Sequence, residues 1–305
     1  MSIVVSGSLA YDQIMTYSGE FKEHILTQQS EDLNISFLVN GLTRQFGGTA
    51  GNIAYTLALL GEQPTIIASL GQDCEPYLEW LKKNGISTEG VTINQSTYTA
   101  TAYISTDKKG NQIAFFYPGS MEHPSTTAIL SHDSANTFSI VSPGNILDMS
   151  ELTAHYKQSS IPYIFDPGQQ IPAIPLATLL DCIAGAFLLI CNAYEFEMIK
   201  TITGYSIEDL LRLTSQIIIT QGASGSTLIN HDGARVIEAK AVAYAADPTG
   251  AGDAYRAGLL KGLVSGHSIV SAAKMGATCA SFCVEATGTQ NHRFTLDEFT
   301  QRNQS

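Results

Sequence analysis

From about residue 138 onward, short apolar runs alternate with amphipathic segments. Ser139–Ser142, Ile161–Asp166, Phe187–Cys191 and Ile217–Thr220 read as strands. Segments around Leu147–Lys157, Leu176–Ala184, Tyr194–Lys200 and Ile207–Leu213 read as the helices between them. Strand–helix alternation of this kind predicts an α/β fold: a doubly wound, mostly parallel central sheet with helices on both faces. The N-terminal part adds to it. Ile3-Val4-Val5 is a buried strand, Thr65–Ser69 another, and Val91–Ile93 a third, with a helix over Cys74–Asn84 that Gly85 ends. A chain of 305 residues is long enough to bury the large core this requires.

Two stretches break the pattern. In residues 13–46, short β-type runs (Ile14–Tyr17, Ile35–Val39, Leu42–Phe46) are split by polar segments, with no useful helical period. Tyr98–Thr106 and Gln112–Tyr117 form a second β excursion, joined by the turn-rich Asp107–Asn111. Together they predict a discontinuous β lid of residues 12–46 and 97–117, set on a main domain of 1–11, 47–96 and 118–305. Tyr103, Phe115, Phe116 and Met121 cluster on this lid, where aromatic faces serve either base stacking or packing.

Charge and cysteine usage exclude several classes. A net charge of −12 argues against nucleic acid and anionic membranes as partners. No apolar run approaches the ~20 residues of a membrane span, and the first residues read as a strand rather than a signal peptide, so a cytoplasmic location is expected. The five cysteines include no C-x-x-C pair, and Cys279 and Cys283, four apart on a helix, read as buried apolar residues. The histidines make no metal-ligand pair, so zinc is not expected.

The chemistry gathers at loop-to-helix junctions. In Asp247-Pro248-Thr249-Gly250-Ala251-Gly252-Asp253, three small residues sit where a loop becomes a helix. Their N–H groups, at the positive end of the dipole, suit an anion. Asp253, in the first turn beside that anion, suits a base that takes a proton from an attacking hydroxyl. Phe46-Gly47-Gly48-Thr49-Ala50-Gly51-Asn52 opens a second helix, which ends at Gly61. Gly47 and Gly48 permit close approach of a ligand, and Asn52 offers a donor and an acceptor to vicinal hydroxyls. Asp12 is expected just past the end of the first strand, where open sheets bind ligands. Asn192 and Glu195 sit three apart at a helix start, either as a capping box or as holders of hydrated Mg²⁺. Plain helix capping is the competing explanation at the helix starts, and an ordinary turn acid at Asp12.

The order of these motifs along nearly the whole chain resembles the ribokinase-like, phosphofructokinase-B type kinases of sugars and nucleosides. Gly-Ser-Leu-Ala-Tyr-Asp, Phe-Tyr-Pro-Gly-Ser-Met and Phe-Asp-Pro-Gly-Gln are similar to bacterial and archaeal adenosine and nucleoside kinases. The resemblance implies transfer of the ATP γ-phosphate to a ribose 5′-hydroxyl, most closely that of adenosine. Asp253 would be the base, with the Gly250, Ala251 and Gly252 backbone as anion hole. Asp12, Asn34, Gly47, Gly48, Asn52 and Phe115 would hold the nucleoside. Gln112, Gln169, Asn192, Thr220, Gly222, Gly225, Ala280 and Cys283 would face the nucleotide. Mg²⁺ would sit near Glu195 through water, and a monovalent cation such as K⁺ near Asp247 and Thr249. Pro248 departs from the Thr of many relatives and should stiffen the approach to the anion hole. A monomer or a homodimer through the lid is expected. The rival readings are a ribokinase- or fructokinase-type sugar kinase and a non-catalytic nucleoside-binding protein. A dinucleotide-dependent oxidoreductase is disfavoured, because Ser6-Gly7-Ser8 lacks a G-x-G-x-x-G fingerprint.

Overall fold

The structure, a computed structural model, describes residues 1–25, 35–125 and 136–305. Along the chain run β1 (Ser2–Ser6), β2 (Ala10–Thr16), α1 (Phe21–Ile25), β3 (Gly41–Gly47), α2 (Thr49–Leu59), β4 (Thr65–Leu70), α3 (Glu75–Lys83) and β5 (Val91–Ile93). Then come β6 (Ala100–Thr106), β7 (Gln112–Tyr117), β8 (Thr137–Val141), α4 (Ile146–Gln158), β9 (Tyr163–Phe165), α5 (Leu176–Ile183) and β10 (Leu188–Asn192). The remainder is α6 (Ala193–Thr203), α7 (Ile207–Leu211), β11 (Gln216–Thr220), β12 (Ser226–Asn230), β13 (Gly233–Ile237), α8 (Ala251–Val264), α9 (Ile269–Val284) and α10 (Leu296–Gln304).

Nine strands form one sheet in the order β13-β12-β11-β10-β9-β8-β1-β4-β5. The pairs from β11 to β5 are parallel, and the β12–β13 hairpin closes one edge antiparallel. Side chains alternate across a strand, and the two cores divide accordingly. Ile3, Val5, Ile66, Leu188, Ile190 and Ile218 pack under α2, α8 and α9. Val4, Ile67, Leu189, Cys191, Ile217 and Ile219 pack against α4, α5, α6 and α7. This is the expected two-sided burial. The chain leaves β1 toward β4 on one side and later returns to β8 on the other, so the sheet's order switches at β1. Ligand crevices of open α/β sheets lie beyond the strand ends at such a switch.

The second sheet has four strands, ordered β3-β2-β6-β7, and forms the expected lid. Three details differ from expectation. Residues 35–39 form no strand, because their apolar residues do not find a ladder partner there. Phe21–Ile25 form a short helix within the excursion. Asp12 does not follow β1 directly. It is the third residue of β2, inside the lid sheet, because the chain starts its second strand at Ala10. The five cysteines are free and buried, as their apolar reading required.

Candidate active site

The junction before α2 shows what its glycines are for. Gly48 has φ 86°, and a Cβ there would come within 2.5 Å of the Ser8 carbonyl oxygen and 2.7 Å of the Ala10 nitrogen. Gly47 faces the Asp12 carboxylate so closely that a Cβ would lie 2.5 Å from Oδ2. The lid strand thereby lays an acid over the start of α2. Burial pushes the Asp12 carboxyl up to about 6, with the nearby Asp247 adding to the shift.

Asn52, on the first turns of α2, reaches Asp253 directly: its Nδ2 donates to Oδ2 at 2.8 Å. Gln290 Nε2 donates to Asn52 Oδ1 at 3.0 Å, which fixes which end of the Asn52 amide faces Asp253. Gln290 is held in turn by Trp80, whose Nε1 donates to Oε1 at 2.8 Å. Its Nε2 also donates to Tyr77 OH at 3.0 Å, and that hydroxyl donates to the Gly47 carbonyl at 2.6 Å. One chain of hydrogen bonds therefore runs from α3 through Gln290 and Asn52 to Asp253, with a branch from Tyr77 to the Gly47 peptide.

Asp253 lies in the first turn of α8, whose N-cap Gly250 is left-handed at φ 80°. Ala251 N–H donates back to the Pro248 carbonyl at 3.2 Å. Among the described residues, the N–H groups of Gly250 and Gly252 have no such partner, so two of the three expected anion donors stand free. Burial raises the Asp253 carboxyl to about 6; Arg256 and the Asn52 hydrogen bond oppose the rise, while Asp166 and Glu195 add to it. Asp247 clamps the approach. Its Oδ1 accepts from Thr249 N–H at 2.9 Å and its Oδ2 from Gly288 N–H at 3.0 Å. Burial would raise its pKa, but these bonds win and it is lowered. Each oxygen keeps a further lone-pair site, and Thr249 is exposed beside it.

Asn192 and Glu195 form a complete capping box at the start of α6. Glu195 Oε2 accepts from Asn192 N–H at 2.7 Å, which leaves Oε1 for another donor. Burial raises this carboxyl as well, despite the cap bond. Among the described residues no three acidic, His or Cys side chains form a metal cluster. The donor set thus fits a largely hydrated, phosphate-bound Mg²⁺ rather than an ion caged by protein. Thr220 ends β11, and Gly222 and Gly225 bound the turn into β12. At Gly225 a Cβ would strike the Ile237 carbonyl at 2.1 Å, while at Gly222 it would meet nothing. Cys283 and Ala280 lie on α9, and the Cys283 thiol is 3.6 Å from the Thr249 carbonyl oxygen.

The lid register separates two adjacent phenylalanines. Gln45, Asp12, Ala102 and Phe116 lie across from one another, so they share one face. Phe115 pairs with Tyr103 on the opposite face. Phe116 lines a cleft of about 980 Å³ with Met121, Asn145, Leu147, Gln169 and Pro175. Gln169 therefore opens onto the lid cleft, and Phe116 rather than Phe115 lies on the Asp12 face of the lid. Gln112 shares that face but lies at the far end of β7, paired with Thr106. Asn34 lies outside the described residues. Sequence reasoning passed over Trp80, Tyr77 and the Asp166–Arg256 pair. Their partners lie 30 to 213 residues away, and no short motif spans such distances.

Known proteins resemble this chain over most of its length. The model of the pfkB family of carbohydrate kinases matches residues 3–295. A nucleoside kinase of Methanocaldococcus jannaschii is 31% identical over 271 residues, spanning 88% of this chain and 89% of the relative. A nucleoside kinase of Burkholderia thailandensis, solved in complex with inosine, superposes with a TM-score of 0.87 at 36% identity, covering 99% of this chain and 97% of the other. The same enzyme solved in complex with ADP-inosine superposes with a TM-score of 0.83 at 37% identity, covering 99% and 95%.

Proposed function

This chain belongs to the pfkB family of carbohydrate kinases, phosphotransferases with an alcohol acceptor, and on that premise we propose that it is an ATP-dependent nucleoside kinase with adenosine as its acceptor. The observation that carries the catalytic part is the Asn52–Asp253 hydrogen bond at the N-terminus of α8. It aims a carboxylate of raised pKa at the place where a glycine-rich turn offers free N–H groups to an anion. Asp253 takes the proton from the ribose 5′-hydroxyl as that oxygen attacks phosphorus. The Gly250 and Gly252 N–H groups receive charge that grows on the transferring phosphoryl oxygens, an interaction worth most in the transition state. Asp12, with Gly47 and Gly48 clearing space beside it, accepts from the ribose hydroxyls. Mg²⁺ near Glu195 would supply charge neutralisation to the ATP phosphates, with Asn192, Thr220, Gly222, Gly225, Ala280 and Cys283 around the nucleotide. K⁺ at Asp247 and Thr249 would act only by stiffening the clamp that precedes Gly250.

The cleft beyond Asp12 supports a nucleoside over a bare sugar. A pentose has no use for Phe116, Met121, Leu147 and Pro175, whereas a purine can stack on the ring. Gln169 is exposed there with an amide able to pair with a base edge. Those relatives named nucleoside kinases support the same choice. The test is a panel of adenosine, inosine, guanosine, cytidine, ribose and fructose with ATP and Mg²⁺. Adenosine should give the highest kcat/KM. Turnover of ribose or fructose with no nucleoside would overturn the proposal, and a preference for inosine would overturn the adenosine part alone.

A further inference from the structure

Behind the anion-binding turn lies an ion pair for which phosphoryl transfer has no direct use. Arg256, one turn into α8, is 6% exposed, and Asp166, just past the end of β9, is 2% exposed. They meet side-on: Nη2 donates to Oδ1 at 2.7 Å, and Nε donates to Oδ2. Nη1 points the other way and donates to the Gly252 carbonyl at 3.0 Å. One rigid planar group thus joins the C-terminal end of a central strand to the peptide that follows an anion donor. Gly252 leaves room for this contact, since a Cβ there would press on Nη1 at 3.1 Å.

A buried ion pair is a poor means of stabilising a fold, because apolar side chains of similar volume do as well or better. A guanidinium fork bonded on two sides does something apolar packing cannot: it fixes orientation. The oriented object here is the first turn of α8, with the Gly252 N–H and the Asp253 carboxylate on it. The ionisable groups acting on Asp253 are Arg256 on its own helix, Asp166 after β9 and Glu195 on α6, with the Cys283 thiol on α9 also coupled to it. Arg256 is the cation of this set.

We infer that the Asp166–Arg256 pair is a positioning device for phosphoryl transfer. Through the Gly252 carbonyl it holds the α8 N-terminus in register with the sheet, and it sets a permanent positive charge beside the anion site. The inference rests on the kinase reading but not on which acceptor is used. It adds Asp166 and Arg256 as positioning residues that touch neither substrate.

Two variants test it. Arg256→Lys keeps the charge and loses the fork. Arg256→Met combined with Asp166→Leu removes both charges and leaves no orphan. Both should fold by circular dichroism and bind the acceptor with a KM within about threefold of the parent. Their kcat should fall about 10²-fold, as small misplacements of reacting groups do. In the double variant the acid limb of kcat should also move to higher pH, because the cation that favours ionised Asp253 is gone. A third readout needs no acceptor. Aluminium fluoride should tighten ADP–Mg²⁺ binding to the parent and much less to either variant. If the folded variants keep kcat within about twofold, the parent's acid limb and the fluoride tightening, the pair is structural only and the inference fails. If Arg256→Lys does not fold, the double variant decides. If the parent phosphorylates a free sugar instead of a nucleoside, the acceptor assignment fails, and the same comparison is made on that sugar.

Discussion

Burial lifts the Asp253 carboxyl from 3.8 to about 6, which makes it a better base and a worse structural residue. Its folded pKa lies above its unfolded value, so the native state holds an extra proton between those limits. Ionised Asp253 therefore destabilises the fold at neutral pH, and that penalty fades as pH falls from about 6 toward 3.8. Asp253→Asn keeps the shape and the contact with Asn52 but removes both base and buried charge. Its kcat should drop by about 10²–10⁴-fold while nucleoside binding by calorimetry persists. Its stability at pH 7.5 should rise by about 1–3 kcal/mol, a gain that shrinks near pH 4. Near-parental turnover would remove Asp253 from the role of base. In the parent, kcat/KM should climb with pH and level off above about 6, where Asp12 titrates as well.

At the scale of elements, the junction of β3 with α2 is built around a missing side chain. Gly47→Ala would put a methyl 2.5 Å from Asp12 Oδ2, so the carboxylate must swing away. Steady-state kinetics should show the nucleoside KM rising about tenfold or more, with kcat changed much less, because ribose holding is lost and Asp253 is untouched. A fall in kcat with KM unchanged would place Asp12 outside the ribose site. Elements such as this were legible in the sequence because their signals are local. The strand–helix alternation gives the parallel sheet, the double glycine marks the α2 start, and Gly250 to Asp253 marks the α8 start. What was not legible depends on partners brought together by the fold. Trp80 and Gln290 meet across 210 residues, and Arg256 finds Asp166 across 90. The lid shows the same limit. Short β-type runs announced its strands, but only the register between β2, β6 and β7 puts Phe116 on the side of Asp12 and Phe115 on the other.

For the whole molecule, the consequence is a division between a rigid two-core sheet and a thin lid. The nine-stranded sheet is buried on both faces, whereas the lid strands carry exposed rings: Phe116 at 53% and Phe115 at 69%. A layer with few buried apolar contacts opens locally at little cost, and ligand-binding lids are drawn from such layers. Nucleoside spanning Asp12 and Phe116 would bridge lid and main sheet, whereas ATP at the β10–β12 ends would not. Amide hydrogen exchange should therefore slow in β2, β6 and β7 when adenosine is added, and stay unchanged there with ATP–Mg²⁺ alone. Strands β8 to β11 should exchange slowly throughout. Phe116→Ala should abolish most of the adenosine-induced protection and raise the nucleoside KM. It should also increase the ATP hydrolysed per nucleotide product, because an unclosed lid admits water to the phosphoryl group. Phe115→Ala, on the opposite face, should do none of these. Equal effects from the two variants would mean that the lid contributes bulk rather than a face, and that the register does not set the nucleobase site.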